Sequence, residues 1–381
     1  MNFREVPIRL FLRKSDSWIE PLPDETYKQI TVRLWGKGLS LRGKIHGSKI
    51  EATRQIRVKA GQFLVSRIDA RHGAFGIVPP TLDGALVSND FPCFEINREI
   101  VLPNYLEWYA RTYDFVDLCR RVSEGSTNRV RLKETKFLDM TIPLPPLDDQ
   151  RRVAAKLESL IAKIDKAKLL QSEIQADAQI MLYSAFQQII ECAEYYPIAE
   201  VAPIVRRKVE VEMDCEYPEL GVRSFGKGTF HKPVLNGIDV GTKKLYSIEP
   251  GDLVFSNVFS WEGAIAVVQP EDEGRVGSHR FITCVPKAGI ATAEFLWFYL
   301  LTGEGIEKVR EASPGGAGRN RTLGLKKLEK IEVPVPNYNK QLWFDNLQSK
   351  SATIKQAHSE NQTELDALLP AILDKAFKGE L

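Results

Sequence analysis

The sequence predicts an α+β protein built twice: two tandem globular domains separated by two long helices that form an antiparallel coiled coil. Three observations predict it. Val32-Arg-Leu-Trp-Gly-Lys-Gly38 returns as Val222-Arg-Ser-Phe-Gly-Lys-Gly228, displaced by 190 positions. Pro143-Leu-Pro-Pro-Leu-Asp-Asp-Gln150 returns as Pro334-Val-Pro-Asn-Tyr-Asn-Lys-Gln341. After each proline segment comes a long polar run without glycine that carries apolar residues at alternating spacings of four and three. Solenoid units recur at roughly 20–50 residues, so a repeat this long is a duplicated domain with its connector. The expected boundaries are 1–148 for the first domain, 149–190 for the first helix, 191–339 for the second domain and 340–381 for the second helix.

Each copy reads in the same order. Gly61 and Gly251 mark turns before short apolar strands, in Lys59-Ala-Gly-Gln-Phe-Leu-Val-Ser-Arg67 and Glu249-Pro-Gly-Asp-Leu-Val-Phe-Ser-Asn257. A loop with a shared glycine, Gly73 or Gly263, leads into another strand. Asn104-Tyr-Leu-Glu-Trp-Tyr109 and Glu294-Phe-Leu-Trp-Phe-Tyr299 read as core helices. A late loop rich in glycine and arginine follows.

The first connector places Val153, Leu157, Leu160, Ile164, Ala167, Gln171, Ile174, Ala178, Met181 and Ala185 on one heptad seam. The second places Leu347, Ser351, Ile354, His358, Asn361, Leu365, Leu368 and Ile372 there, with polar residues that can fix register. The simplest pairing of two matched helices in one chain is antiparallel, with one globular copy at each end. Pro370 is expected to kink the second helix or to begin a separate final turn.

Bulk properties narrow the function. A length of 381 residues suggests two or three domains, and 43% hydrophobic with 27% charged residues is ordinary for a soluble protein. The net charge of +2 leaves any nucleic-acid affinity to local basic clusters. Cys93, Cys119, Cys192, Cys215 and Cys284 form no C-x-x-C pair, which argues against zinc and disulfides and fits a reducing cytosol. Neither a signal peptide nor an apolar run long enough to span a membrane is visible. The expected location is cytoplasmic.

Catalytic motifs are missing. No Asn/Asp-Pro-Pro-aromatic motif, Walker A loop or dinucleotide loop is present. Gly36-Lys-Gly38 is too short for a phosphate loop. Glu271-Asp-Glu273 reads as a solvated acidic loop. His72 and His279 lie in corresponding regions but not at equivalent positions, which argues against a shared base.

Basic residues beside glycine are what recurs. Copy one has Ser123-Glu-Gly-Ser-Thr-Asn-Arg-Val-Arg131 with Arg129 and Arg131; copy two has Ser313-Pro-Gly-Gly-Ala-Gly-Arg-Asn-Arg321 with Arg319 and Arg321. Arginine can clamp phosphate or read guanine bidentately; a solvated turn before a helix is the bland alternative. A second surface is the loop after the central strand, with Arg67, Arg71 and His72 in copy one, Asn257 and Trp261 in copy two, and His279 and Arg280 beyond them. There the framework matches while side chains differ, as two readers of different sequences would, or as loops drift after duplication. Arg33, Lys37, Arg223 and Lys227 are identical between copies, so on DNA they would touch phosphate; they could equally be structural.

These features together resemble the specificity subunit of type I restriction–modification systems. The junction Ile142-Pro-Leu-Pro-Pro-Leu-Asp-Asp-Gln150 into Arg151-Arg-Val153, the ending Leu368-Leu-Pro-Ala-Ile-Leu-Asp-Lys-Ala-Phe-Lys-Gly-Glu-Leu381 and the tandem architecture carry the resemblance. It implies two target-recognition domains on double-stranded DNA, each binding half of a split site, with a helical ruler between them. It implies two methyltransferase subunits and two restriction subunits as partners. Adenine methylation and cleavage, with S-adenosylmethionine, ATP and Mg2+, then belong to those partners, and this chain is not itself an enzyme. If both domains sit on one face of B-DNA, half-site centres fall about 10–10.5 base pairs apart. Two readings from other classes stay open on the residues alone: a self-contained nuclease or methyltransferase with a cryptic site, and a coiled-coil adaptor that binds no DNA.

Overall fold

The computed structural model describes residues 2–125, 130–315 and 321–381. The chain forms two compact units, one of Met1–Gln171 with Ser359–Leu381, the other of Ser172–His358.

In the first unit the strands are β1 (Arg4–Pro7), β2 (Leu12–Lys14), β3 (Trp18–Ile19), β4 (Thr26–Val32), β5 (Leu39–His46), β6 (Gln55–Arg57), β7 (Phe63–Val65), β8 (Phe75–Ile77), β9 (Leu86–Val87) and β10 (Cys93–Ile96). Helices α1 (Pro103–Ala110) and α2 (Tyr113–Arg121) follow, then β11 (Ser123–Glu124), β12 (Arg131–Leu132), α3 (Glu134–Asp139) and β13 (Thr141–Leu144). The sheets run β2-β10-β7-β8 and β3-β6-β9-β4-β5, with the small pairs β1-β13 and β11-β12. All pairings are antiparallel except β4 with β9, where Gln29 meets Leu86.

The apolar run of β7 explains the layering. Successive strand side chains face opposite sides. Phe63 and Val65 enter one core with Phe75, Tyr105, Leu106, Phe115 and Phe137, while Leu64 enters a second with Ile30, Ile56, Val78 and Val87. The four-stranded sheet is therefore a middle layer, covered by helices on one face and by the five-stranded sheet on the other. A strand buried on both faces reads as continuous rather than alternating hydrophobicity.

The second unit repeats this order. Its two large sheets and the pair equivalent to β1-β13 match strand for strand, including the parallel pair at Glu219 and Val276 and a register shift at Pro218/Leu220 that answers the one at Gln29/Ile30, while the β11-β12 pair is answered among the described residues by a bridge between Gly315 and Arg321. Leu253 and Phe255 face the helical core and Val254 the opposite one. Thr112 and Thr302 cap equivalent helices, their hydroxyls accepting from the amides of Phe115 and Gly305.

The connectors are single helices, Leu147–Ile190 and Tyr338–Lys378. In the first unit, Val153, Ala154 and Leu157 from the start of one share a core with Leu373 and Ala376 from the end of the other. In the second unit, Phe186 near the end of the first helix meets Phe344 near the start of the second, with ring centroids 5.5 Å apart. Within each unit the two helices are thus antiparallel.

One expectation is corrected and a second is narrowed. The heptad seam does not persist: Ile174 and Met181 are exposed, and Leu182, Phe186 and Ile189 take the inward positions instead. Likewise Leu368 is exposed and Leu369 packs inward. A straight helix drifts about 20° per heptad from a 3.5-residue repeat, so the inward stripe slides by one position. Pro370 begins no separate turn, because the helix continues through it to Lys378.

Candidate nucleic-acid interface

At the end of β7 the chain is fixed from two sides. The Arg67 amide donates to the Asp90 carbonyl at 2.8 Å, and the Arg67 carbonyl accepts from the Leu132 amide at 2.8 Å. Three segments therefore meet at one residue: the loop after β7, the turn before β10 and the strand β12. Asn257 is held the same way, donating to the Arg280 carbonyl and accepting from the Leu323 amide, both at 2.8 Å. The backbone node is shared and the side chains are not.

The repeated turn joins this surface. The amides of Trp35 and Gly36 donate to the carbonyls of His72 and Gly73 at 2.8 and 2.9 Å. Phe225 and Gly226 donate to Glu262 and Gly263 at 2.8 and 2.9 Å. Close approach sets the glycine requirement: a Cβ on Gly73, whose φ is +74°, would lie 3.0 Å from the Gly36 nitrogen. The glycine shared by the two copies is where the loop's backbone lies against the turn.

The candidate side chains fall into different situations. Arg33, Lys37, Arg223 and Lys227 are exposed around their turns. Arg33 Nε donates to Ser40 Oγ at 3.1 Å; Arg223 donates to the Thr229 carbonyl at 2.7 Å and lies over the Phe230 ring. The Arg67 guanidinium is paired with the Glu134 carboxylate, which also takes Lys14 at 2.7 Å. Burial pushes the Glu134 carboxyl up, but hydrogen bonds and charge from Lys14 and Arg67 outweigh it and hold the group below the ordinary carboxylate range. Arg131 pairs with Asp90 at 3.0 Å. Arg71 Nε donates to His72 Nε2 at 3.1 Å, and the His72 ring meets Trp35 edge-on.

In the second unit, Trp261 Nε1 donates to the Val258 carbonyl at 3.0 Å, and the Arg321 guanidinium sits over the Trp261 ring, 5.2 Å from its centroid. His279 and Arg280 are exposed, with Arg280 bound to the node through its carbonyl. Asn257 Oδ1 is buried without a hydrogen-bond partner among the described residues. Arg129 and Arg319 lie outside the described residues.

Each unit thus gathers its loop after the central strand, its repeated turn and the end of its late loop onto one basic, aromatic-bearing surface. Exposed cations there can hold phosphates, while Arg71, His72, Trp261 and Asn257 offer different donors, acceptors and rings from the same frame. The sequence reading did not single out Trp35 and Phe225. Both are exposed in the repeated turn, each between two cations that the two copies share.

The acidic triplet needs correction. Asp272 is buried, not solvated: it accepts from Thr229 Oγ1 at 2.8 Å and from the Gln269 amide at 3.1 Å, and lies 2.9 Å from His231 Nε2. It pins the strand that leaves the basic turn. Among the described residues, no group of three or more His, Cys, Asp or Glu side chains could hold a metal ion. Burial pushes the Cys93 and Cys284 thiols up to about 12, which suppresses the thiolate a nucleophile needs. No helix among the described residues is long and apolar enough to cross a membrane.

Comparison with known proteins agrees with this geometry. Residues 20–176 match the family model for the type I restriction modification DNA specificity domain. The chain is 21% identical over 325 residues to the type I restriction enzyme StySPI specificity subunit of Salmonella potsdam, covering 74% of this chain and 66% of that protein, just under two thirds of its length. It is 22% identical over 328 residues to a protein assigned as the type I restriction enzyme MjaX specificity subunit of Methanocaldococcus jannaschii, covering 78% and 73%. Among solved structures, the HsdS subunit from Thermoanaerobacter tengcongensis aligns over 100% of this chain and 97% of its own, with a TM-score of 0.64 at 20% identity. A chain from a structure of type I R-M complex assembly and conformational transition aligns over 100% and 98%, with a TM-score of 0.69 at 20% identity. The structural likenesses establish the fold.

Proposed function

We propose that the chain, which matches the type I restriction modification DNA specificity domain over residues 20–176, is a type I specificity subunit that reads a two-part DNA site, one half-site per unit, for a methyltransferase and restriction complex. The observation that carries this reading is the node at Arg67 and Asn257. Identical backbone hydrogen bonds hold both residues, while the side chains presented around them differ. One frame used for two different surfaces is what two different half-sites require, since shared residues can serve only the common phosphate backbone.

In this reading Arg33, Lys37, Arg223 and Lys227 hold phosphates. Arg71 and His72 in one unit, and Trp261, His279 and Arg280 in the other, meet base edges. Arg67 supports its loop through Glu134. The connector helices set the distance between half-sites and carry the methyltransferase subunits, through which restriction subunits join. Base methylation and strand cleavage are the partners' work, using S-adenosylmethionine, ATP and Mg2+ bound there.

The test lengthens the ruler. One heptad inserted into each connector helix, with the full chain co-expressed with its methyltransferase partner, should change the preferred spacer between half-sites while leaving both half-sites intact. An unchanged spacer would contradict the ruler.

A further inference from the structure

Two residues other than glycine have left-handed backbone among the described residues, and they are equivalent: Trp35 at φ 61° and Phe225 at φ 63°. A large side chain is strained there, and such strain persists only where surrounding structure imposes it. The imposition is visible. In each unit the amide of the aromatic residue and the next amide are bonded to the neighbouring loop, and the Arg33 or Arg223 amide closes the turn onto Gly38 or Gly228 at 2.9 Å. Glycine or asparagine would occupy this position at little cost. Yet each copy carries a large ring, and the ring is left in solvent, 69% exposed for Trp35 and 71% for Phe225. Core packing therefore does not explain it.

The surroundings say what such a ring is for. Exposed cations flank it on both sides, Arg33 and Lys37 in one unit, Arg223 and Lys227 in the other. The Trp35 ring also meets His72, within the loop assigned to base contact. An aromatic ring between phosphate-type cations is the arrangement that packs on nucleic acid, where every base and sugar offers an apolar face. Exchange of tryptophan for phenylalanine between copies fits a contact that reads a ring face or a sugar rather than a donor and acceptor pattern.

We propose that Trp35 and Phe225 are DNA-contacting residues, each rigidly presented by its left-handed turn to pack against sugar and base edges at the rim of its half-site. This rests on the DNA-reading function above. In the full chain complexed with its methyltransferase, Trp35→Gly and Phe225→Gly should each weaken binding of the selected duplex about tenfold or more. Because no charge is removed, the slope of log affinity against log salt should not change. The thermal midpoint should hold, since release of left-handed strain offsets the added chain entropy of glycine. Trp35→Phe and Phe225→Trp should bind nearly as the unaltered complex does.

Glycine variants that bind duplex as tightly as the unaltered complex would overturn the proposal. So would variants that shed the methyltransferase on size-exclusion chromatography, which would make the rings a protein contact. If the unaltered complex itself shows no salt-dependent, sequence-selective binding, the DNA-reading function fails and this inference falls with it; if it binds and only the glycine variants are neutral, the inference alone fails.

Discussion

Gln150 holds Leu102: its Oε1 accepts the Leu102 amide at 2.9 Å, while its Nε2 donates to the carbonyls of Ile100 and Pro145, each at 2.9 Å. Gln341 repeats the arrangement with the Thr292 amide at 3.0 Å and the carbonyls of Ile290 and Pro336 at 2.9 and 2.8 Å. Both glutamines are essentially inaccessible, at 1% and 0% exposure. The proline-to-glutamine motif is thus the joint that fixes each connector helix to the segment entering a core helix.

Gln150→Leu should be strongly destabilising. It strands a buried amide and two carbonyls, each costing about 1–3 kcal/mol where water cannot replace the partner. Gln341→Leu should behave alike. Thermal or denaturant unfolding of each variant measures this, and a loss below about 1 kcal/mol would deny the joint its role.

Phe377 meets the Tyr105 and Tyr109 rings edge-on, at 5.3 and 5.2 Å, so the end of the second connector completes the first unit's core. Phe186 plays the same part in the second unit against Phe295 and Phe344. Phe186→Ala should cost about 3–5 kcal/mol, and Phe377→Ala, half-buried, somewhat less. Limited proteolysis should show Phe377→Ala exposing cleavage sites in the first unit, although the substitution lies near the opposite end of the sequence.

Glu134 and Glu294 should answer acid in opposite ways. Glu134 has a depressed folded-state pKa, so its stabilisation is present above the ordinary glutamate value and lost as pH falls through the folded value. Glu294 is raised by burial and then by the Asp345 charge, and Asp345 is raised by burial. Such groups cost stability while ionised, and that cost is relieved as pH falls through the raised value. Glu294→Gln should therefore raise the melting midpoint at neutral pH and do little in acid. Glu134→Gln should lower it at neutral pH and flatten the loss on acidification. Melting curves of both variants across this range give the comparison.

Arg33→Ala and Arg223→Ala should weaken DNA binding across all sequences and reduce the salt slope by about one each, the mark of a lost phosphate contact. Arg67→Ala should instead destabilise the first unit, since it leaves the Glu134 carboxylate with Lys14 alone. Binding titrations at several salt concentrations, read beside melting curves, separate the two behaviours.

Much of this was legible in the sequence because duplication is a comparison the chain makes with itself. The buried strands after Gly61 and Gly251 and the helices at Asn104 and Glu294 all appear where the repeat placed them. What escaped was three-dimensional. Ile174 and Met181 fit a heptad on paper, but helical drift turns them outward. Asp272 reads as one of three solvated acids, yet its partners Thr229 and His231 lie about forty positions away and bury it. Trp35 and Phe225 have poor intrinsic preference for left-handed backbone, so nothing local announces the conformation that the neighbouring loop imposes.

Two units built on one frame should read two different half-sites. Mapping methylated adenines across a genome tests it most directly, using the full chain with its methyltransferase, first unaltered and then with the 66–72 loop replaced. The expected result is a two-part motif separated by an unread spacer, with the loop replacement changing one part and leaving the other intact. A single continuous motif, or a loop replacement that alters both parts, would contradict it.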